Sequence, residues 1–171
     1  MSEIILGYGV ELIWRGGYFF EVYEGGEVNY GKFIYTDAPI YRQVVETKKF
    51  FVPKSAVENV KNCLLDKKIL IDKFPEETIQ LGLVIDGSCQ YFNFLGKAVH
   101  WWNISRITEK GIKELEKFVG KLSADTKNLI QQQHKILDIF EEAYKFLKDY
   151  GLKIYYEGTY YGYDFVCDWK F

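Results

Sequence analysis

His100, within the run AVHWWNI, is the residue of this sequence best placed to do chemistry. Strand alternation sets it on one face with Ala98, Trp102 and Ile104, and leaves Val99, Trp101 and Asn103 on the other. An imidazole beside an indole in a concave sheet can hold a ligand or act as a general base, so His100 and Trp102 are candidate pocket residues. A packed strand histidine fits the same position. The one other histidine, His134 in QQQHK, sits beside the apolar stripe of a helix and reads as a solvated helix residue. With so few bases, nucleophilic catalysis by Ser or Cys has little to work with.

Carboxylates are the second candidate chemistry. Asp164 and Asp168 share the polar face of the last strand, where four residues of separation amount to ~13 Å. That exceeds the spacing of either common glycosidase pair, so no catalytic residue is assigned to them. As paired negative charge on a sheet face they are candidate interaction residues, able to steer a basic partner. Two solvated carboxylates that discourage edge pairing would look the same. Glu11, Glu21 and Asp86 are further acids whose convergence one sequence does not reveal.

Cys63, Cys89 and Cys167 stand far apart without a CxxC pair, and the expectation is three free thiols, with no zinc site and no disulfide framework. Cys63 falls on a helical apolar stripe as a small core residue. No EF-hand spacing, phosphate loop, dinucleotide fingerprint, nucleophile elbow or HExxH occurs, so neither metal nor cofactor is expected.

The elements that would position these residues begin with strands. Residues 4 to 14 alternate, Ile4, Leu6, Tyr8, Val10, Leu12 and Trp14 against Ile5, Gly7, Gly9, Glu11 and Ile13, and the two glycines imply a bulge or a close neighbour. Gly16-Gly17 and Gly25-Gly26 punctuate strands at 18–23 and 28–35, and a further strand follows the bend at Asp37-Ala38-Pro39. Pro53 opens a short helix with the stripe Ala56, Val57, Val60, Cys63 and Leu64. Strands TIQLGLVI, SCQYFNFL and AVHWWNI come next, with Asp86-Gly87 and Gly96-Lys97 as turns.

Two amphipathic helices follow. Thr108-Glu109 starts one, with Ile112, Leu115, Phe118, Val119 and Leu122 on a face. Ser123 or Asp125 caps the other, which runs to about Tyr150 and stops at Gly151. The tail is a β-hairpin turning at Glu157-Gly158. The odd side of its last strand, from Tyr161 to Phe171, gathers Tyr163, Phe165, Cys167 and Trp169 as a buried face. The expectation is a single α+β domain over residues 1–171. A largely antiparallel twisted sheet of about eight or nine strands, in meanders and hairpins, carries one short helix and a C-terminal-half αα-hairpin packed on it.

Bulk properties narrow the function. The net charge of −2 with interspersed signs argues against a nucleic-acid surface, and the lysines at 67, 68 and 73 read as a solvated patch. No stretch approaches the ~20 apolar residues of a membrane span, and MSEIILGYGVELIWRGG lacks the features of a secretion signal. The chain therefore reads as cytoplasmic. Small, mildly acidic and rich in Tyr and Trp, it fits a noncatalytic protein-binding module, such as an immunity protein or an inhibitor of a toxin or other effector. Alternatives are a small-molecule binding domain, with an aromatic pocket between sheet and helices, and an enzyme using His100 with a carboxylate.

Overall fold

A computed structural model describes residues 3–12, 16–35, 42–76, 88–102, 105–152, 155–159 and 162–166. The main sheet is antiparallel and six-stranded, in the order β4-β3-β2-β1-β5-β6. Its strands are β1 (Ile4–Leu12), β2 (Gly16–Tyr23), β3 (Glu27–Tyr35), β4 (Arg42–Phe51), β5 (Ser88–Phe94) and β6 (Lys97–Trp102). A smaller sheet takes the order β7-β9-β8, from Ser105–Ile107, Gly162–Val166 and Tyr155–Thr159 respectively. The helices are α1 (Lys54–Leu65), the single turn α2 (Lys68–Ile71), α3 (Glu109–Val119) and α4 (Ala124–Tyr144). The α+β class with an antiparallel sheet is as the sequence implies.

The turns follow from glycine where the backbone demands it. Between β2 and β3 the Gly26 N–H closes a turn onto the Tyr23 carbonyl at 2.8 Å, with Gly26 at φ +89°. The β5–β6 hairpin pairs Phe94 with Lys97 directly, so its two turn residues are Leu95 and Gly96, one position earlier than expected. Both have positive φ, as a primed two-residue turn requires, and the Asn93 side chain accepts the Gly96 N–H at 2.9 Å.

One face of the main sheet meets α1 and α4. Leu6, Tyr8, Phe20, Val22, Val28, Phe92, Phe94, Val99 and Trp101 point into it and are wholly buried, against Val57, Val60 and Leu64 of α1 and Ile136, Leu137 and Phe140 of α4. Phe140 stands at the centre, with its ring 5.0 Å from that of Tyr8 and 5.5 Å from that of Phe92. Burying nine such side chains supplies most of the driving force for this layer, at about 2 kcal/mol each.

Several finer expectations are corrected. The strands divide between two sheets instead of forming one. A register shift between Ile4 and Leu6 turns Ile5 into the core beside Leu6, so strict alternation fails at the start of β1. Among the described residues α4 packs mainly on α1 rather than on α3, so α1 and α4 cover the sheet in place of the expected α3–α4 hairpin; α3 lies against β7 and is tied to the start of α4 by Lys127–Glu116 at 3.2 Å. Leu115 is buried, but Phe118 and Val119 of the same expected stripe are exposed. Caps fall where expected: the Thr108 hydroxyl accepts from Gly111 N–H, and that of Ser123 from Thr126 N–H. The strand expected over TIQLGLVI, Cys167, and the side chains of the tail lie outside the described residues.

Candidate functional site

The second face of the main sheet carries a groove of about 660 Å³. Cross-strand register builds it. One row runs His100–Tyr91–Gly9–Phe19–Gly31 across β6, β5, β1, β2 and β3, with each residue opposite the next. The adjacent rows are Trp102–Cys89–Glu11–Gly17–Phe33 on one side and Ala98–Asn93–Gly7–Glu21–Asn29 on the other. Side chains at every second residue share a face, so the three rows belong to one surface.

Missing side chains shape the groove. The Phe19 ring leans away from Gly9 and lies over Gly31, where an added Cβ would stand 2.3 Å from two of its carbons. The Tyr91 ring leans toward Gly7, 3.5 Å from where a Cβ would be. Gly9 is left as the floor between Phe19, which inclines outward over Gly31, and Tyr91, which leans along β1 toward Gly7, and Glu11, Glu21, Phe33, Cys89 and His100 are among the other lining residues. The paired glycines of β1 therefore mark an absence of side chain that the face uses, beyond the close neighbour the sequence implied.

Polar groups here are held in defined states. Burial pushes the Cys89 thiol up to about 11, and the carboxylate of Glu11 directly across the ladder adds to it. Such a thiol is a poor nucleophile at neutral pH. Burial raises the Tyr91 phenol, the Asn93 amide bond at 2.9 Å opposes this, and the charge of Glu21 reinforces it. The Tyr23 hydroxyl donates to Glu21 Oε2 at 2.7 Å, and burial together with this bond raises its phenol too.

His100 is exposed at the rim, its ring 5.2 Å from that of Tyr91. The expected pocket between sheet and helices is corrected: Val99 and Trp101 face the helices, and His100 faces the opposite way. Glu11 and Glu21 share the groove with it, but they stand four register positions apart on neighbouring strands, ~13 Å along the ladder. That geometry suits binding better than paired acid–base work. The backbone of Trp102 lies opposite Cys89, in the same row as Glu11.

Asp164 lies in β9, the central strand of the small sheet, opposite Ser105 and Glu157. Flanked on both sides, it has no edge to protect. Asp168 lies outside the described residues. Among the described residues no group of three His, Cys, Asp or Glu side chains is arranged to hold a metal ion, and no described helix is long and apolar enough to cross a membrane.

Sequence reasoning named Glu11 and Glu21 without placing them, and it passed over Tyr91 and Phe19. The available signal was Gly7 and Gly9 on one face of an otherwise bulky strand. Comparison of the sequence with protein-family models finds no match, and comparison with curated proteins finds none either.

Proposed function

We propose that the protein is a noncatalytic protein-binding module, an inhibitor or immunity protein of a partner protein, and that it engages that partner through the grooved face of the main sheet. The observation that carries this reading is the row Tyr91–Gly9–Phe19, two aromatic walls over a glycine floor. Aromatic side chains that border a recess make interface anchors, because they lose little conformational entropy and bury much area. The groups that could do chemistry support binding instead. Cys89 is held as a thiol, His100 packs on a phenol ring, and the two glutamates are separated along the ladder.

The test compares the wild type with His100→Trp, which fills the mouth of the groove, and with Lys113→Trp, an equivalent change on the exposed side of α3. Affinity-tagged forms are used to capture partners from source cells and are weighed by native mass spectrometry. A protein held by the wild type and Lys113→Trp, and lost from His100→Trp, supports the reading. A bound mass of a few hundred daltons in place of a protein would favour the small-molecule alternative, and a protein that all three forms retain equally would overturn the groove as the binding face.

A further inference from the structure

Among the described residues several surface acids are paired with lysines. Glu24 pairs with Lys61, Glu27 with Lys49, Glu46 with Lys48, Asp72 with Lys68, Glu114 with Lys117 and Glu142 with Lys67. Glu21 is different. It is half-buried in the groove, its Oε2 accepts the Tyr23 hydroxyl, and its cross-strand neighbours are Gly7 and Asn29. Among the described residues no ammonium or guanidinium reaches it, and no Lys or Arg lines the groove. A half-buried carboxylate supported by one phenol retains a desolvation cost that an incoming cation would offset.

The shape of the recess selects among cations. Strands β2 and β5 lie two ladder spacings apart, ~9.5 Å, with β1 between them. Phe19 inclines outward over Gly31, while Tyr91 leans across β1 toward Gly7, the residue directly opposite Glu21, so the space above Gly9 is open on the Phe19 side and bordered by the Tyr91 ring on the other. A planar, weakly hydrated cation laid there stacks on the Tyr91 ring and offers a fork of N–H donors to the neighbouring Glu21 carboxylate. A compact ammonium uses the charge but not the flat ring.

Resting on the protein-binding reading, we propose that the groove receives the guanidinium of an arginine side chain presented by the partner, laid over Gly9 between Phe19 and Tyr91 and paired with Glu21. The volume of about 660 Å³ exceeds one side chain, so residues flanking the arginine share the recess.

The experiment titrates the 15N-labelled protein with N-acetyl-arginine amide, with the lysine and glutamine analogues as comparators. Saturable shifts are expected at the amides of Gly7, Gly9, Glu21 and Tyr91, weaker with the lysine compound and absent with the glutamine one. Glu21→Gln, isosteric and checked for an unchanged spectrum elsewhere, should weaken arginine-amide binding by about tenfold, the loss of one charge-assisted pair. Glu46→Gln, remote on β4, should bind as the wild type does. No saturable shift, or equal affinity in Glu21→Gln, overturns the proposal. If that happens while His100→Trp still loses the captured protein, the arginine assignment falls and the binding-module reading stands. If arginine amide binds as described but His100→Trp keeps its protein, the reading falls and the cation site stands alone.

Discussion

The ring of Phe19 occupies the space above Gly31, so that a Cβ at residue 31 would stand 2.3 Å from two of the ring's carbons. Phe19 and Gly31 are directly opposed on β2 and β3, and the ring takes the place of the side chain its neighbour lacks. This contact fixes the outer wall of the groove, because it pulls the ring off Gly9.

Gly31→Ala should therefore cost about 2–3 kcal/mol, since either the ring or the strand must move. It should also change the groove by pushing Phe19 toward Gly9. Gly25→Ala is the matched comparison: a Cβ there meets nothing within 4 Å, and stability should change by less than about 0.5 kcal/mol. Urea unfolding of both variants decides it. Equal midpoints would mean that Phe19 does not rest on Gly31.

Cys89 yields a pH prediction. Burial, then the Glu11 carboxylate, raises its thiol to about 11, above the ordinary 9.0. The protonated form is thus favoured in the folded state. Its contribution to stability is fully present below pH 9 and is lost as pH rises from there through about 11. Cys89→Ala should show a shallower fall in unfolding free energy across that window, whatever its stability at neutral pH. In the folded wild type, iodoacetamide at pH 8 should leave Cys89 unmodified and label it once urea is added. Rapid labelling of the folded thiol would contradict the burial argument.

Much of this architecture was legible in the sequence, and the parts that were not share one cause. Strand and helix periods in β1, β2, α1 and α4 name the core face, because local alternation decides which side of an element is apolar. The pairing of α4 with α1, the division into two sheets and the meeting of Tyr91, Gly9 and Phe19 depend on contacts between residues distant in the chain. No window of sequence contains them. The bulge that brings Ile5 into the core was equally invisible, since one extra residue reverses the alternation without changing composition. Gln133 shows the same limit: it is buried on α4, although the polarity of a glutamine by itself points to the outside.

Gln133 is wholly buried, and neither atom of its amide finds a hydrogen-bond partner among the described residues. A buried amide in that state costs about 1–3 kcal/mol relative to one that is satisfied. Gln133→Leu, close in volume, should raise stability by about 1 kcal/mol in thermal or urea unfolding. Gln133→Glu should lower it steeply at neutral pH, where the new group would carry charge. A leucine variant less stable than the wild type by 2 kcal/mol or more would show that the amide is satisfied.

His134 is the histidine that the sequence assigned to solvent, and the fold gives it a structural task. Half-buried on α4, its Nε2 accepts the backbone N–H of Ile107 at 3.1 Å, which joins the helix to β7 across a separation of twenty-seven residues. Ile107 is the last residue of its strand and pairs with Gly162 in β9, so the bond anchors the small sheet to the helix layer. A backbone N–H deprived of its acceptor in a half-buried site costs about 1–2 kcal/mol. His134→Ala should lose that amount, and His134→Gln, whose amide oxygen can replace the nitrogen as acceptor, should recover part of it. Hydrogen exchange separates this from lost packing. The Ile107 amide should exchange faster in the alanine variant and regain protection in the glutamine variant, while the amides of β1 in the main sheet keep their wild-type rates. His100→Ala provides the contrast, because an exposed rim residue whose ring packs beside that of Tyr91 should change stability by less than about 1 kcal/mol. An Ile107 amide that exchanges equally in all of these forms would remove His134 as the link between the small sheet and α4.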